Sequence, residues 1–333
     1  MNPRKIENLN TISVTVDTEE EGLWGAGYPI RNCTTLNLRG LPRFHAVCEK
    51  YSIPPTYLVD APVLENDFAI EILKDWQDTG RCEIGTHCHP WCTPPIISES
   101  VSKLESYMCN LPEELQFEKL QWLTQRIADT FGRAPTSYRA GRYGFNRSSV
   151  GPLVALNYIV DSSVLPAFNY TDTHGPNFQD FNRTPCKVRS TLGDATLLEV
   201  PITTGFTRSG RYQWRQRLRG WLNSPIGRAT KIYSISNRLG LTRHIKLSPE
   251  GTSLVDLKGL VRSALHDGVS HLVLMLHSTS LLAGFSPYAK NDHELEALYQ
   301  RLDGILEFTT KECSCVGVML SETTKLVPDG FHR

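Results

Sequence analysis

Residues 12–21 read ISVTVDTEEE: a β-branched, apolar run stops at Asp17, and acidic residues follow it. Val, Ile and Thr pack well on a pleated surface, so the run predicts a buried strand near Ile12–Asp17. Similar short runs recur along the chain, and each is followed by a longer segment with the helical spacing of apolar residues. This alternation is typical of βα units around a parallel sheet.

The alternation extends over most of the chain. Further strands are predicted near Thr56–Val59, Cys82–Thr86, Ser137–Ala140, Tyr158–Asp161, Leu197–Pro201, His271–His277 and Val316–Leu320. Helices are predicted near Leu41–Lys50, Ala69–Gln77, Pro112–Phe131, Ser148–Leu156, Leu254–His266 and Glu294–Phe308. Eight strands with intervening helices indicate an α/β fold, which is either a (β/α) barrel or a distorted relative, or an open doubly wound sheet with the same period.

The composition is that of an ordinary soluble globular protein. The chain has 333 residues, of which 40% are hydrophobic and 21% charged, with 35 basic against 35 acidic side chains. This length suits one large α/β domain or two small ones, and we predict a single domain over residues 1–333. A formal net charge of zero argues against a dedicated nucleic-acid-binding protein.

Cysteine usage and hydropathy predict a cytoplasmic protein. The nine cysteines are scattered and include no CxxC pair, as expected of free thiols in a reducing compartment. The first residues, MNPRKIENLN, contain no apolar stretch of signal-peptide length, and no run of about eighteen apolar residues occurs anywhere. We therefore expect neither export nor a transmembrane segment.

Polar residues at the carboxyl ends of strands are the first candidates for chemistry in a βα protein. If the strand ending at Asp17 stays extended for two more residues, Asp17 and Glu19 lie on one face. Two carboxylates on one face repel each other, and a cation beside them relieves the repulsion. For Glu20 and Glu21, a solvated acidic loop is the favoured interpretation.

A second strand end, CEIGTHCHPWCTPP, carries His87 and His89 two positions apart, so that both face the same way. Imidazole is the commonest ligand of zinc-like metals, and two on one short segment supply adjacent corners of a coordination shell. A lone histidine is usually structural, but this pairing favours a ligand pair. Cys88 and Cys92 are weaker candidates, since Cys88 faces the other way.

Two further strand ends complete the candidate set. LVLMLHSTS delivers His277, which is placed to exchange protons at neutral pH, although a capped or core histidine is an equal alternative for this strand alone. SYRAGRYGFN places Arg139 and Arg142 beside tyrosines. A guanidinium there either holds a carboxylate in its ionised form or forms a surface ion pair.

Taken in order, these segments resemble the motifs of the polysaccharide deacetylase superfamily (NodB homology, carbohydrate esterase 4). The order is an acidic strand end, a histidine-pair strand end, an Arg–Tyr segment and a late Leu–His, and it covers the chain from about Ile12 to Leu320. The forms DTEEE and HCHPW resemble most the branch described as WalW-like, which is associated with bacterial surface-glycan biosynthesis.

The resemblance implies a distorted (β/α) barrel that hydrolyses an N-acetyl group on a sugar with a divalent metal ion, zinc being the expected one. Asp17 matches the catalytic base, Arg139 the residue that steadies it, and His277 the general acid. The family's second aspartate and His-x-x-x-His pair are replaced here by Glu19 and by His87-Cys88-His89. The implied metal ligands are therefore Glu19, His87 and His89, with the exchange of roles between Asp17 and Glu19 left open.

Substrate contacts are predicted at Trp91, which stands where the usual second histidine would fall, and at Arg142 and Tyr143. Asp161 resembles the end of the family's fifth strand; we count it with the substrate-binding residues, and orienting the acid or a neighbouring strand is its other interpretation. The expected substrate is an N-acetylated sugar or glycan of lipopolysaccharide or capsule biosynthesis. Two other classes stay open: hydrolysis of a non-sugar amide or cyclic imide, and glycan binding without catalysis.

One segment departs from the average composition. Residues 205–249 contain ten Lys or Arg and no Asp or Glu, which leaves 25 basic against 35 acidic residues elsewhere. Because it follows a strand's carboxyl end, we predict a basic helical insertion, at about residues 205–250, on the catalytic face. Its arginines and aromatic residues suit an anionic or lipid-linked glycan, and a pair of solvated helices is the nearly equal alternative. Nucleic acid is the weakest reading.

Overall fold

A mostly parallel β-sheet with helices between its strands organises the molecule. The computed structural model describes residues 9–25, 27–208, 210, 212–222 and 243–326. The strands are β1 (Thr11–Thr18), β2 (Thr56–Val59), β3 (Glu83–Cys88), β4 (Ser137–Ala140), β5 (Val160–Asp161), β6 (Cys186–Arg189), β7 (Thr196–Glu199), β8 (Thr204–Phe206), β9 (His244–Lys246), β10 (His271–His277) and β11 (Val316–Gly317). The α-helices are α1 (Leu41–Lys50), α2 (Asp67–Asp78), α3 (Glu113–Phe131), α4 (Val150–Ala155), α5 (Tyr212–Leu222), α6 (Leu254–His266) and α7 (Asp292–Glu307).

The main sheet has nine strands in the order β10-β1-β2-β3-β4-β5-β7-β6, with β11 also paired to β1. All pairs are parallel except β6 with β7. Strands β8 and β9 pair antiparallel and form a second sheet. Within the described residues, no ladder joins the two ends of the main sheet. Isolated bonds from Thr203 N to Val273 O (3.2 Å) and from Met275 N to Leu247 O (3.1 Å) take its place, so the barrel is distorted and not closed.

Capping and amphipathic spacing explain where the helices lie. Asn66 caps α2 by accepting from the Ala69 N–H, Ser253 caps α6 at Asp256, and Asn291 caps α7 at Glu294. The helices bury apolar residues at spacings of three and four, as α7 does with Leu295, Leu298, Leu302, Ile305 and Leu306. Their buried residues join the apolar side chains of β1 and β10 in one core cluster. This core fixes the strand ends.

The predicted fold class is confirmed, and all the predicted strands and helices are present with ends shifted by a few residues. Strands β6, β8 and β9 were not predicted; they are short, and β9 lies inside the predicted basic helical insertion. Helix α5 agrees with the helical part of that prediction, while residues 223–242 lie outside the described residues. A single domain over residues 1–333 stays a prediction. Within the described residues, no helix combines the length and apolar character needed to cross a membrane.

Candidate active site

The carboxyl ends of four parallel strands bring the candidate residues together. In the β1–β10 ladder Asp17 pairs with His277, and in the β3–β4 ladder His87 pairs with Arg139. These ends surround a cavity of about 210 Å³. Its lining residues are Asp17, Glu19, Leu23, Trp24, Tyr28, His87, His89, Trp91, Arg142, Tyr143 and His277.

Asp17 forms a buried ion pair with Arg139 beneath the cavity. Arg139 Nη1 lies 2.7 Å from Asp17 Oδ1 and also donates to Thr15 Oγ1 at 2.9 Å, while Nε and Nη2 donate to Ser162. Burial alone would raise the pKa of Asp17, but the opposing charges, Arg139 first, hold it well below its usual range. Asp17 is therefore ionised at neutral pH, with Oδ2 directed away from Arg139 towards His277 Nε2 at 3.9 Å.

Glu19 faces the two predicted histidine ligands. Its Oε2 lies 3.4 Å from His87 Nε2 and 3.6 Å from His89 Nε2. His87 Nδ1 lies 3.0 Å from the Arg139 carbonyl oxygen, which can only accept, so Nδ1 carries the proton. His89 Nδ1 donates to Glu20 Oε2 at 2.8 Å in the same way. Both Nε2 atoms therefore present lone pairs to the Glu19 carboxyl group, and three potential metal-ligand atoms converge.

This donor set fits a divalent metal ion. Burial lowers the pKa of His87 to about 3 and that of His89 to about 4, so both rings are neutral, the form that binds metals. Burial, reinforced by Asp17 and other nearby carboxylates, raises the pKa of Glu19 well above its usual range. Its Oε1 is buried with no hydrogen-bond partner in the described structure. Two imidazoles and one carboxylate are a common zinc-type ligand set, and the Glu19, His87 and His89 ligand atoms lie close enough for one ion.

Behind His89 lies a buried acidic cluster of Glu20, Asp60, Trp91 and Cys92. Trp91 Nε1 donates to Glu20 Oε1 at 2.7 Å, Cys92 Sγ lies 3.7 Å from the same oxygen, and the Glu20 N–H donates to Asp60. The prediction of a solvated loop is wrong for Glu20, which is 0% exposed. Its carboxylate orients His89, as outer carboxylates do for metal-binding histidines.

His277 has a carboxylate partner that the sequence reasoning missed. Its Nδ1 lies 2.9 Å from Glu250 Oε2, and Glu250 Oε1 accepts from Ser280 Oγ at 2.6 Å. Burial would raise the pKa of Glu250, but His277 and these donors hold it at about 2. The ionised Glu250 keeps a proton on His277 Nδ1 and leaves Nε2 facing the cavity. Trp24 packs edge-on against the same ring at 5.2 Å.

The structure places three of the four predicted substrate-binding residues in the cavity wall: Trp91, Arg142 and Tyr143. It does not place Asp161 there. Asp161 is fully buried beneath the strand ends and accepts from Ser163 N and Oγ, at 3.1 and 2.6 Å. Burial raises the pKa of Asp161, and Glu199 stands beside it, so a structural role replaces substrate contact for this residue.

Two residues missed by the sequence reasoning are near the cavity. Tyr28 lines it from the loop between β1 and α1, and Glu250 lies one residue beyond the basic segment. Of the two, only Glu250 had a recognisable signal in the sequence, because it is the first acidic residue after a segment with ten basic ones. Cys88 points into the core, where it contacts Thr93 and Met108, as its alternation with the histidines predicts. All nine cysteines are free thiols.

A larger cavity of about 390 Å³ lies elsewhere, between the Cys109–Arg147 and Gly175–Arg189 regions. Its lining includes Phe145, Phe178 and Phe181 but no histidine, and Asp180 is its one carboxylate. Cavity volume alone would select this larger cavity, whereas the converging titratable groups lie at the smaller one, at the strand ends. We take the smaller cavity as the candidate active site because catalysis requires such groups.

No protein-family model and no curated protein matches the chain. Several solved structures do match the chain. A candidate polysaccharide deacetylase from Mycobacterium smegmatis has a TM-score of 0.54 at 14% identity, and the match covers 97% of this chain and 93% of that one. A candidate glycoside hydrolase/deacetylase from Parabacteroides distasonis has a TM-score of 0.57 at 12% identity, covering 96% and 71%. A 4-α-glucanotransferase from Thermococcus litoralis has 0.51 at 11%, covering 96% and 41%. At such identities these matches establish the fold alone, which this chain shares with the three solved structures.

Proposed function

We propose that this chain, with the fold of polysaccharide deacetylases, is a metal-dependent hydrolase that removes an acetyl group from an amide nitrogen of a carbohydrate. One observation carries the proposal. An ionised carboxylate (Asp17), a convergent ligand set (Glu19, His87 and His89) and a carboxylate-paired histidine (His277) share one cavity. Amide hydrolysis needs a base, an electrophile and an acid, and these groups can supply all three.

Glu19, His87 and His89 would hold the metal ion, and zinc is the ion we propose. When bound, a divalent cation supplies Lewis acidity, which lowers the pKa of water from about 15.7 towards 7 and polarises a carbonyl oxygen. Asp17 is the less favourable ligand, because Arg139 already occupies its Oδ1 at 2.7 Å. The geometry therefore supports the assignment of Glu19 as ligand and Asp17 as base.

Asp17 takes a proton from the attacking water through Oδ2. Arg139 keeps it ionised, and the bonds from Arg139 to Thr15 and Ser162 hold the guanidinium still. As the water oxygen bonds to the acetyl carbon, negative charge develops on the carbonyl oxygen. Preorganised positive charge at the cavity would stabilise that charge in a way that mobile solvent cannot.

His277 delivers a proton to the amide nitrogen through Nε2. Glu250 holds Nδ1 protonated, so the second nitrogen is the one that exchanges protons in the cavity. When the carbon–nitrogen bond breaks, the nitrogen leaves as an amine and the acetyl group leaves as acetate. Without this proton the leaving group is an amide anion, which is a very poor one.

The narrower part of the proposal is the biological substrate. A role in the synthesis of a bacterial surface glycan, lipopolysaccharide or capsule, is supported by the DTEEE and HCHPW segments, which resemble the WalW-like branch. An anionic or lipid-linked form of the glycan is supported by the basic residues of the 205–250 insertion. A cytoplasmic location stays a prediction.

The test is acetate release by the zinc-loaded full chain from N-acetylhexosamine oligosaccharides, compared with turnover of small amides and cyclic imides. We expect sugar deacetylation that a chelator abolishes and zinc restores. His277→Ala should lower kcat by about 10²–10⁴-fold with a smaller effect on KM. The matched control is His266→Ala, whose side chain is 66% exposed and outside the cavity.

Each other outcome selects another function. Turnover of cyclic imides without acetate release from any sugar would assign the site to non-sugar amides. Absence of stoichiometric metal, with no effect of chelator, would favour a glycan-binding protein without catalysis. Equal kcat in the wild type and His277→Ala would remove His277 from the mechanism.

A further inference from the structure

We propose that the carbohydrate bound in this cavity carries an anionic group, a carboxylate or a phosphate, near its acetamido group, and that Arg142 binds that anion with support from Lys246. This inference rests on the proposed function for the identity of the carbohydrate. We place the anion beside Arg142, in the cavity that the catalytic residues line, and not only on the basic insertion.

The cavity is lined by two chemically different sets of groups. The acceptor set consists of Asp17, Glu19 and the two Nε2 atoms of His87 and His89. The donor set consists of Arg142 and the hydroxyl of Tyr28. The acetamido group of a neutral sugar has a role for the acceptor set under the proposed function, but it leaves the guanidinium of Arg142 without a counter-charge.

Arg142 has hydrogen-bond partners but no carboxylate partner among the described residues. Its guanidinium donates to the Tyr28 hydroxyl and, at 2.9 Å, to the Tyr107 hydroxyl. It also lies over the Tyr107 ring, 4.5 Å from the centroid. Among the described residues, no carboxylate oxygen lies within 4.0 Å of it, in contrast to the partly exposed Arg43, Arg81 and Arg126, which all have one.

The tyrosine contacts orient the guanidinium and leave donors for a ligand. Because a guanidinium has no acceptor, the Tyr28 and Tyr107 oxygens accept from Arg142, and their own O–H protons remain. The Tyr107 hydroxyl is also within 2.7 Å of Thr173. In the described structure, Tyr28 has no other hydrogen-bond partner. An anion beside Arg142 would therefore receive a guanidinium N–H and a phenolic O–H together.

The backbone is held in an unfavourable conformation to present these side chains. Arg142 and Tyr143 are consecutive non-glycine residues in the left-handed region, with φ of 55° and 61°. Side chains there are strained, and such strain is concentrated at functional sites. Gly141 packs closely against the proposed metal ligand His89 and leaves no room for a side chain, since a Cβ at this position would lie 2.4 Å from His89 Cδ2. The position of Arg142 is thus tied to that of the proposed metal ligands.

Lys246 adds a second positive charge behind Tyr143. Its Nζ donates to the Tyr143 hydroxyl at 3.2 Å, and Tyr143 lines the cavity. The charge of Lys246 also helps to lower the pKa of Glu250, so Glu250 compensates that charge in part. Guanidinium groups bind carboxylates and phosphates with paired hydrogen bonds, and an ammonium group adds attraction without that geometry. Arg142 is accordingly the recognition group and Lys246 the supporting charge.

The experiment compares three matched probes by titration calorimetry with the zinc-loaded full chain at fixed ionic strength. The probes are N-acetylglucosamine, the same sugar oxidised to its uronic acid, and the same sugar carrying a 6-phosphate. We expect at least one acidic probe to bind about tenfold more tightly than the neutral one. Arg142→Gln should reduce that ratio at least fivefold, and Arg142→Lys should restore part of it. Arg133→Gln, which removes an exposed charge outside the cavity, should leave the ratio unchanged.

The carboxylate and phosphate arms identify which anion the site prefers. Equal binding of all three probes, or a preference that survives in Arg142→Gln, would overturn the inference. If Arg142→Gln does not fold, Lys246→Met provides the second measurement, with a smaller decrease of the same ratio expected. Because the readout is binding, failure of hydrolysis with every probe would contradict the proposed function while the anion preference remains measurable.

Discussion

Asp17 and Glu19 are two carboxylates two residues apart at the end of one strand, each 2% exposed, yet their surroundings are opposite. Asp17 has a buried guanidinium at 2.7 Å. Glu19 has two neutral imidazoles and no cation among the described residues. The first is a completed ion pair, whereas the second becomes electrostatically satisfied only when a cation arrives.

The difference shows how one strand end can divide two catalytic tasks. A carboxylate whose charge is already compensated stays ionised whatever else binds, which suits a base. A carboxylate that lacks compensation gains free energy when it binds a cation, which suits a metal ligand. Sequence position gives the two residues the same face, but only their neighbours distinguish them.

The largest effect is expected from removing the compensated charge. Asp17→Asn should lower kcat for acetate release by about 10²–10⁴-fold, because the base is lost while the shape is kept. Bound zinc should stay at one equivalent per chain, as measured by plasma emission spectroscopy. Asp172→Asn, at an exposed aspartate, serves as the control. Loss of zinc in Asp17→Asn would reverse the assignments of Asp17 and Glu19.

Removing the compensating cation should make Asp17 resemble Glu19. Arg139→Met leaves a buried, unpaired carboxylate and should lower the free energy of unfolding by about 3–5 kcal/mol in urea titrations. The double variant Asp17→Asn/Arg139→Met should recover part of this loss, since no charge is left unpaired. Additive losses in the double variant would show that the pair is not energetically coupled. Arg133→Met controls for the loss of an exposed arginine.

The lack of a counter-charge at Glu19 should be measurable as an increase in the free energy of unfolding when metal binds. At a zinc concentration about 100 times its Kd, binding should stabilise the wild type by about 2.7 kcal/mol. Glu19→Gln should lose most of this stabilisation, and without metal it should be at least as stable as the wild type, because it removes a buried group whose charged form is disfavoured by burial. Equal zinc stabilisation in both proteins, with Glu114→Gln as the exposed control, would exclude Glu19 as a ligand.

Much of this arrangement follows from sequence because it depends on spacing. Alternation on a strand places His87 and His89 on one face and Cys88 on the other. The position of a strand along the chain and the face that each side chain occupies are local properties, which periodicity can predict. Strand order and the register that places Asp17 beside His277 are not local. Strands β6, β8 and β9 lie outside the βα alternation, since β6 pairs antiparallel with β7 and β8 with β9.

Residues whose roles depend on distant contacts could not be predicted in this way. Glu20 resembles a solvated loop residue in the run of three glutamates, but Trp91 and His89 bury it by hydrogen bonding. Asp161 resembles a strand-end site residue, but Ser163 satisfies it inside the protein. Glu250 lies 27 residues from His277 in a segment of no evident periodicity. The deciding partners of Glu20 and Glu250 are remote in sequence. For Asp161 the partner is Ser163, two residues away, together with the remote Glu199.

Glu250 extends the comparison to a third carboxylate, whose partner is the imidazole of His277. Its pKa is held at about 2, below the usual value of about 4.5, so its pairing stabilises the fold above pH 4.5. That contribution is lost as the pH falls from 4.5 towards 2. Glu250→Gln should therefore lower the free energy of unfolding by about 1–3 kcal/mol at pH 6, and by less as the pH approaches 3.

The measurement is urea unfolding at several pH values between 3 and 6 for the wild type, Glu250→Gln and the exposed control Glu114→Gln. The difference between wild type and Glu250→Gln should shrink towards acid, because protonation of Glu250 in the unfolded wild type removes its advantage. A difference that is constant with pH would mean that Glu250 acts by packing and not by charge. In that case the charge of Glu250 would not be what fixes the Nδ1 proton of His277. The value of kcat should then be equal in Glu250→Gln and the wild type.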